Sequence, residues 1–263
     1  MRIGFCQFNV THSNIEANLK KITDLLEDTE ADLIVLPELC FTGYSFSSKE
    51  AVFPFADNSA QKEILNKLGF ISKMKKIYLV AGMAEKEGNE LYNSAIVIGP
   101  DGYIGKHRKI NLPKAEKIFD RGKSLEIFKI GNVKIGVAIC FESWFPESIR
   151  ILTLRGAQII CCPMNFGGPW TPDVMKVRSL ENKVFTIMAN RIGKEQIGLE
   201  EAEFRGESQI TDHGGNVLVK VIKEECVKIV DINPEEAKKK DNIVCEDMKH
   251  EMGLYKEYVK YIL

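Results

Sequence analysis

Apolar positions along the chain come in two alternating rhythms. Residues 3–8 form a short apolar run that predicts a strand, and over 14–26 Ile15, Leu19, Ile22 and Leu26 recur at helical spacing. Leu33-Ile34-Val35-Leu36 is continuously apolar and predicts a buried strand, which Pro37 stops. The rhythm returns as a helix over 60–75, strands over 77–82 and 95–98, and an extended piece over 103–109 after the turn Pro100-Asp101-Gly102. Further on, the runs 125–130 and 133–139 flank Gly131-Asn132, a hairpin signal. Helices over 147–155 and 174–182 then alternate with strands over 159–162 and 184–189. A second hairpin joins 208–211 to 217–221 around Gly214-Gly215-Asn216, and a strand over 227–230 closes the series.

Strands alternating with helices predict an α/β protein, and the hairpins predict that some neighbouring strands run antiparallel. The expectation is therefore a mixed sheet covered by helices. Neither a low-complexity linker nor a repeat at a short fixed period divides the chain. A single domain over 1–232 follows, with a polar, helical tail over 233–263 that packs on the domain or on a partner subunit.

Composition narrows the function more than the fold. With 44% hydrophobic positions among 263 residues there is enough apolar material for a core that needs no disulfide staples. The net charge is −1, and the cluster Lys238-Lys239-Lys240 is flanked by Glu235-Glu236 and Asp241. A solvated helix face explains that cluster, so no nucleic-acid partner is expected. No stretch approaches the ~20 apolar residues that cross a bilayer, so no membrane partner is expected either. The opening residues run into a strand without a signal-peptide pattern. Seven cysteines with no Cys-x-x-Cys pair fit a reduced, cytoplasmic protein. Scattered histidines without a His-x-x-x-His pair give no metal site, and no Gly-x-Gly-x-x-Gly follows the first strand, so no cofactor is expected.

The chemistry centres on Cys140. It ends an apolar strand, and Phe141-Glu142-Ser143-Trp144-Phe145-Pro146-Glu147 after it opens a helix. A nucleophile at such a turn is exposed at the sheet edge, with backbone N–H groups beside it for an oxyanion and a helix end that favours a thiolate. A thiol needs a base, yet His12, His107, His213 and His250 all lack a recognisable cysteine-protease context. A desolvated carboxylate can take that role, and Glu38 sits where strand 33–36 ends, inside Val-Leu-Pro-Glu-Leu-Cys-Phe. A lysine near both would offset buried charge, but spacing alone does not separate Lys109 from Lys106.

Three stretches, in order, resemble the motifs of the nitrilase (carbon–nitrogen hydrolase) superfamily. Pro37-Glu38-Leu39 with Thr42-Gly43-Tyr44 resembles its glutamate motif, and Arg108-Lys109-Ile110-Asn111-Leu112-Pro113 its lysine motif. Gly136-Val137-Ala138-Ile139-Cys140-Phe141-Glu142, then Phe145-Pro146-Glu147, resembles its cysteine motif. Tyr92-Asn93-Ser94-Ala95, Arg178-Ser179-Leu180-Glu181-Asn182, Ala189-Asn190-Arg191 and Phe204-Arg205-Gly206-Glu207-Ser208 also match. The resemblance covers residues 1 to about 232 of the chain.

The resemblance implies a four-layer α-β-β-α sandwich and a Glu38–Lys109–Cys140 triad. Glu38 would be the general base, Cys140 the nucleophile that forms a thioester, and Lys109 with the Phe141 backbone N–H the oxyanion hole. Glu116 matches the family's second glutamate. Tyr44 and Glu142 from the motifs, with Asn165, Phe166 and Trp170 from the loop after Cys162, are candidate substrate contacts. Arg178 and Glu181 are expected to form a structural ion pair. Homodimers or higher assemblies are expected, with helices 147–155 and 174–182 as the candidate surface. Phe141, where nitrilases proper usually carry tryptophan, points to hydrolysis of a small linear amide. Alternatives are a nitrile or an N-carbamoyl amino acid, whose carboxylate Arg191 or Arg205 could hold, or a catalytically silent binding module.

Overall fold

The computed structural model describes residues 1–197 and 200–238. Along the first half run β1 (Arg2–Gln7), α1 (Ile15–Leu26), β2 (Leu33–Val35), α2 (Lys49–Ala56), α3 (Asn58–Lys75), β3 (Tyr78–Glu87), β4 (Glu90–Gly99) and β5 (Gly102–Arg108). The second half adds β6 (Ile127–Ile130), β7 (Val133–Val137), α4 (Pro146–Leu154), β8 (Ile159–Pro163), α5 (Thr171–Asn182) and β9 (Phe185–Ala189). It ends with β10 (Ile192–Ile197), β11 (Glu200–Arg205), β12 (Gln209–Thr211), β13 (Val217–Lys220) and β14 (Cys226–Asp231).

These strands form two six-stranded sheets, ordered β14-β1-β2-β3-β4-β5 and β13-β12-β9-β8-β7-β6, while β10 and β11 pair with each other as a two-stranded hairpin. Each sheet has a parallel centre, β1-β2-β3 or β7-β8-β9, flanked by antiparallel neighbours. The mixed character expected from the helix–strand alternation and the hairpins is therefore present in both sheets.

Side-chain alternation along the strands creates the layers. Ile3, Phe5, Leu33 and Val35 of one sheet meet Ile135, Val137, Ile159 and Ile187 of the other in a shared core. Ile34 and Leu36 turn the opposite way, under Leu19 and Ile22 of α1 and Leu68 of α3. On the far side, Ile160 and Met188 pack under Ile149 and Leu152 of α4 and Met175 of α5. The result is an α-β-β-α sandwich. Cys161 faces the shared core and Cys162 the helices, so this vicinal pair is packing within one buried strand.

Local signals set the helix starts. Asn14 and Asp57 each accept a backbone N–H three residues on, from Ala17 and Ala60, both at 2.9 Å. Two elements depart from the sequence expectation: α2, which contains Pro54, and the β10–β11 hairpin. The expected helical tail is described only over a 3-10 turn at Pro234–Lys238, and its remainder lies outside the described residues. Among the described residues, no helix is long and apolar enough to cross a membrane.

Candidate active site

Glu38 is placed by a close passage of backbone. Beyond β2 the chain turns at Pro37, Leu39 takes a left-handed φ of 47°, and the Glu38 N–H donates to the Met164 carbonyl at 3.2 Å. Gly82 of β3 lies against this turn, donating to the Pro37 carbonyl (3.1 Å) and accepting from the Cys40 N–H (3.0 Å). A Cβ at Gly82 would lie 2.5 Å from Glu38 Cα and 2.7 Å from both Leu39 N and Pro37 O. All three are atoms of a turn pinned on both sides. Gly82→Ala is therefore expected to push the Glu38 turn outward and to cost about 1–3 kcal/mol. A lower melting temperature with slower alkylation of Cys140 would bear this out; unchanged values of both would refute it.

Lys109 follows directly on β5 and bridges two carboxylates. Its Nζ donates to Glu38 Oε1 and to Glu116 Oε1, each at 2.6 Å, and all three side chains are buried. Asn93 of β4 lies across the same pair, donating through Nδ2 to Glu38 Oε1 (2.7 Å) and to Glu116 Oε2 (3.0 Å). The Tyr44 hydroxyl completes the arrangement by donating to Glu116 Oε1 at 3.1 Å. Glu38 Oε2, although buried, has no hydrogen-bond partner among the described residues.

Charge follows from this geometry. Burial pushes the Glu38 carboxyl up from 4.5 to about 7; Lys109 opposes the rise and Glu116 adds to it. Burial disfavours the Lys109 cation, but Glu38 and Glu116 outweigh it and hold the ammonium above its ordinary value. Burial and the Glu38 carboxylate push the Cys140 thiol well up, against Lys109 and the Asn165 backbone. This corrects the expectation that the helix end favours a thiolate. The site therefore holds the Cys140 thiol toward its neutral form.

Cys140 stands at a sharp turn just beyond β7, with a left-handed φ of 43° that only glycine adopts freely. A 3-10 turn, Cys140–Trp144, separates it from α4. Ser143 Oγ donates to the Cys140 carbonyl at 2.7 Å, and the Glu142 N–H to the Ile139 carbonyl at 3.0 Å. Arg178 of α5 braces the turn from outside: Nε donates to the Ser143 carbonyl (2.9 Å), Nη2 to the Trp144 carbonyl (3.3 Å), and Nη1 pairs with Glu181 (2.9 Å). The Arg178–Glu181 pair is structural, as expected from the sequence.

Glu142 does not line the site as a substrate contact. Its Oε1 accepts from the Ile110 N–H (2.8 Å), and its Oε2 from the Ile139 N–H (2.6 Å) and from His107 Nε2 (2.8 Å). Burial opposes its charge, but His107 and the two amides hold the carboxyl below its ordinary value. Glu142 thus ties the strand end that carries Lys109 to the one that carries Cys140.

The other predicted residues separate as well. Asn165 is buried, and neither its Nδ2 nor its Oδ1 has a hydrogen-bond partner among the described residues, as a substrate contact would require. Phe166 belongs to the core between the second sheet and its helices, whereas Trp170 is 66% exposed at the start of α5. Arg191 is fully buried and paired with Glu195, which removes it as a holder of substrate carboxylate; Arg205 pairs with Glu207 at 2.7 Å. Sequence reasoning gave Asn93 no role. Its signal is an amide inside the buried run of β4, costly unless hydrogen-bonded.

A carboxylate of raised proton affinity, an ammonium and a thiol at a turn of positive φ thus lie within electrostatic reach of one another. The model of the carbon–nitrogen hydrolase family matches residues 2–240. A nitrilase from Pyrococcus abyssi is 41% identical over 83% of this chain and 84% of its own length. An N-carbamoylputrescine amidase from Solanum tuberosum is 29% identical over 92% of this chain and 85% of its own. A carbon–nitrogen hydrolase from Helicobacter pylori G27 shares the fold, with a TM-score of 0.81 at 23% identity over 90% of this chain and 91% of that one. The chain belongs to the carbon–nitrogen hydrolase family, within the nitrilase superfamily. It is a hydrolase of carbon–nitrogen bonds other than peptide bonds.

Proposed function

We propose that the protein hydrolyses a small linear amide to the acid and ammonia through a thioester on Cys140. The observation that carries this reading is the buried Glu38, pushed up to about 7 and with Oε2 unpartnered, in the electrostatic reach of a neutral thiol. Glu38 takes the thiol proton as Sγ attacks the carbonyl carbon, and the C=O electron pair moves onto oxygen. Lys109 and the Phe141 backbone N–H meet that oxyanion. Its collapse breaks the C–N bond, the proton on Glu38 passes to nitrogen, and ammonia leaves. Water then attacks the thioester, again losing a proton to Glu38. Collapse of the second oxyanion expels sulfur, which recovers the proton as the acid departs.

Phe141 beside the nucleophile supports an amide. The 41% identity to a protein described as a nitrilase favours a nitrile as the second reading. The burial of Arg191 weighs against an N-carbamoyl amino acid, which needs a cation for its carboxylate. Purified protein is to be incubated with short amides, ω-amides, N-carbamoyl amino acids and aliphatic nitriles while ammonia is followed, with Cys140→Ala as control. Faster release from the amides than from the nitriles supports the proposal. Release from nitriles alone replaces the substrate class, and release no faster than the control from every compound sinks the reading.

We also propose self-association through α4 and α5, which lie side by side and expose Ile151, Val177 and Leu180. Exposed aliphatic side chains gathered on adjacent helices support such a surface.

A further inference from the structure

The β10–β11 hairpin stands apart from both sheets and carries two buried charges that the chemistry above does not use. Arg191, just before β10, lies with its guanidinium 4.5 Å over the Phe204 ring and donates through Nη2 to the Val10 carbonyl at 2.8 Å. Its Nη1 pairs with Glu195 Oε1. The other oxygen of Glu195 accepts two consecutive backbone N–H groups, those of Tyr44 and Ser45, both at 2.9 Å. Gly43 permits this approach: its φ is +79°, and a Cβ there would lie 2.8 Å from Glu195 Oε1.

A buried ion pair is by itself weak evidence of a stabilising role. This one directs its remaining oxygen at the loop that carries Tyr44. The Tyr44 hydroxyl donates to the same Glu116 oxygen that receives Lys109 Nζ. A continuous run of contacts therefore leads from Arg191 through Glu195, the Tyr44 peptide and the Tyr44 hydroxyl to Glu116 and Lys109.

We propose that Glu195 is a positioning residue for the reaction: by fixing the Tyr44–Ser45 backbone it holds the Tyr44 hydroxyl on Glu116, and so sets the partner of Lys109. The inference rests on the triad reading given under the proposed function. Glu116 is faced by Lys109, Asn93 and Tyr44, and Glu38 by Lys109, Asn93, Glu116 and Cys140. Of the three donors on the two carboxylates among the described residues, only Tyr44 is held by the hairpin. Withdrawing its hydroxyl leaves Glu116 to draw more on Lys109 and Asn93, the donors it shares with Glu38, so the Glu38 carboxyl takes up its proton at higher pH.

The test uses a readout that needs no substrate. The rate of Cys140 alkylation by iodoacetamide is followed from about pH 5 to about pH 9 by mass spectrometry, on the full chain. Tyr44→Phe, Glu195→Gln and Glu195→Asp are compared with the wild type. Glu195→Asp keeps the charge opposite Arg191 and so protects folding, while its carboxylate falls one methylene short of the two amides.

All three variants are expected to alkylate about three- to tenfold more slowly than wild type near pH 6 and to converge with it near pH 9. The double variant Tyr44→Phe/Glu195→Asp should be no slower than Tyr44→Phe alone, because both changes act through one hydroxyl. A wild-type profile for Glu195→Asp overturns the proposal, whether or not Glu195→Gln folds. So does a delay that adds to that of Tyr44→Phe. Ammonia release from the amide panel is measured in parallel. Wild-type protein that alkylates normally but releases no ammonia would sink the amide reading, while the alkylation profiles would still decide the role of Glu195.

Discussion

Replacing Glu38 by glutamine is expected to abolish turnover and, at the same time, to raise the melting temperature above pH 7. Under the proposed mechanism the loss of turnover follows from removing the carboxylate oxygen that takes the thiol proton, and should be at least ~10³-fold, at the strong end of general-base effects. The gain in stability follows from the displaced proton affinity. Glu38 titrates near 4.5 in an unfolded chain and about 7 in the folded one. Folding therefore favours its protonated form: the contribution is fully present below pH 4.5, declines as pH rises, and is lost above 7. Holding the ionised form in place above that point costs on the order of 3 kcal/mol. Glutamine resembles the protonated carboxyl and does not ionise. Melting curves should coincide near pH 4.5 and separate by several degrees at about pH 8, with the variant higher. A variant that melts below wild type at the higher pH would refute this balance. The same titration sets the wild-type acid limb, so kcat/KM should fall as pH drops through about 7.

The opposite outcome is expected for Lys109→Met. Methionine fills much of the lysine volume but leaves Glu38 and Glu116 facing each other, both buried, with Asn93 as their shared donor and Tyr44 reaching only one of them. Removing one partner of a buried ionic cluster typically costs about 3–5 kcal/mol, because it leaves charge without compensation. Urea denaturation at about pH 9 should show a loss of that order, and turnover should vanish with the oxyanion contact. Part of the loss should return at about pH 6, because Glu38, which titrates at about 7 with Lys109 holding it down, takes up its proton at higher pH once that cation is gone. A loss of equal size at both pH values would mean that lysine volume, rather than charge, is what the site needs.

Some of this site is legible because its residues break local rules. Glu38 is a charge inside an apolar run, and Cys140 ends one. Spacing alone does not separate Lys109 from Lys106; the resemblance of Arg108-Lys109-Ile110-Asn111-Leu112-Pro113 to the family's lysine motif does. Lys106 and Arg108 reach Glu85 on one face of the sheet, while His107 and Lys109 reach Glu142 and Glu38 on the other. Alternation along β5 thus puts the two lysines on opposite faces, and only the tertiary fold shows which face meets Glu38.

Other features stay hidden for a physical reason. The hairpin segments Ile-Gly-Lys-Glu-Gln-Ile and Glu-Glu-Ala-Glu-Phe-Arg are charged on both faces, so no apolar alternation marks them. Pro54 obscures α2, although its apolar residues Val52 and Phe53 pack beside the site loop with Leu39 and Tyr44. Glu142 reads as a substrate contact because it neighbours the nucleophile. Its partners His107 and Ile110 belong to a distant stretch, and only the tertiary fold shows that both its oxygens are engaged. Arg191 reads as a holder of substrate carboxylate for the same reason: charge is visible in a sequence, and its enclosure is not.

The two sheets contribute unequal shares of the chemistry. Glu38 and Lys109 come from strand ends of one sheet, and Cys140 from the other. Under the proposed mechanism, what makes Glu38 a usable base is burial, which neither sheet confers alone. If the sheets part by even a water layer, the carboxylate reverts to an ordinary acid group and the thiol is left without a proton acceptor of matching strength. Under the proposed mechanism this amounts to an interlock: the reactive state and the closed state are one condition, and a chain still assembling, or beginning to come apart, would be chemically idle.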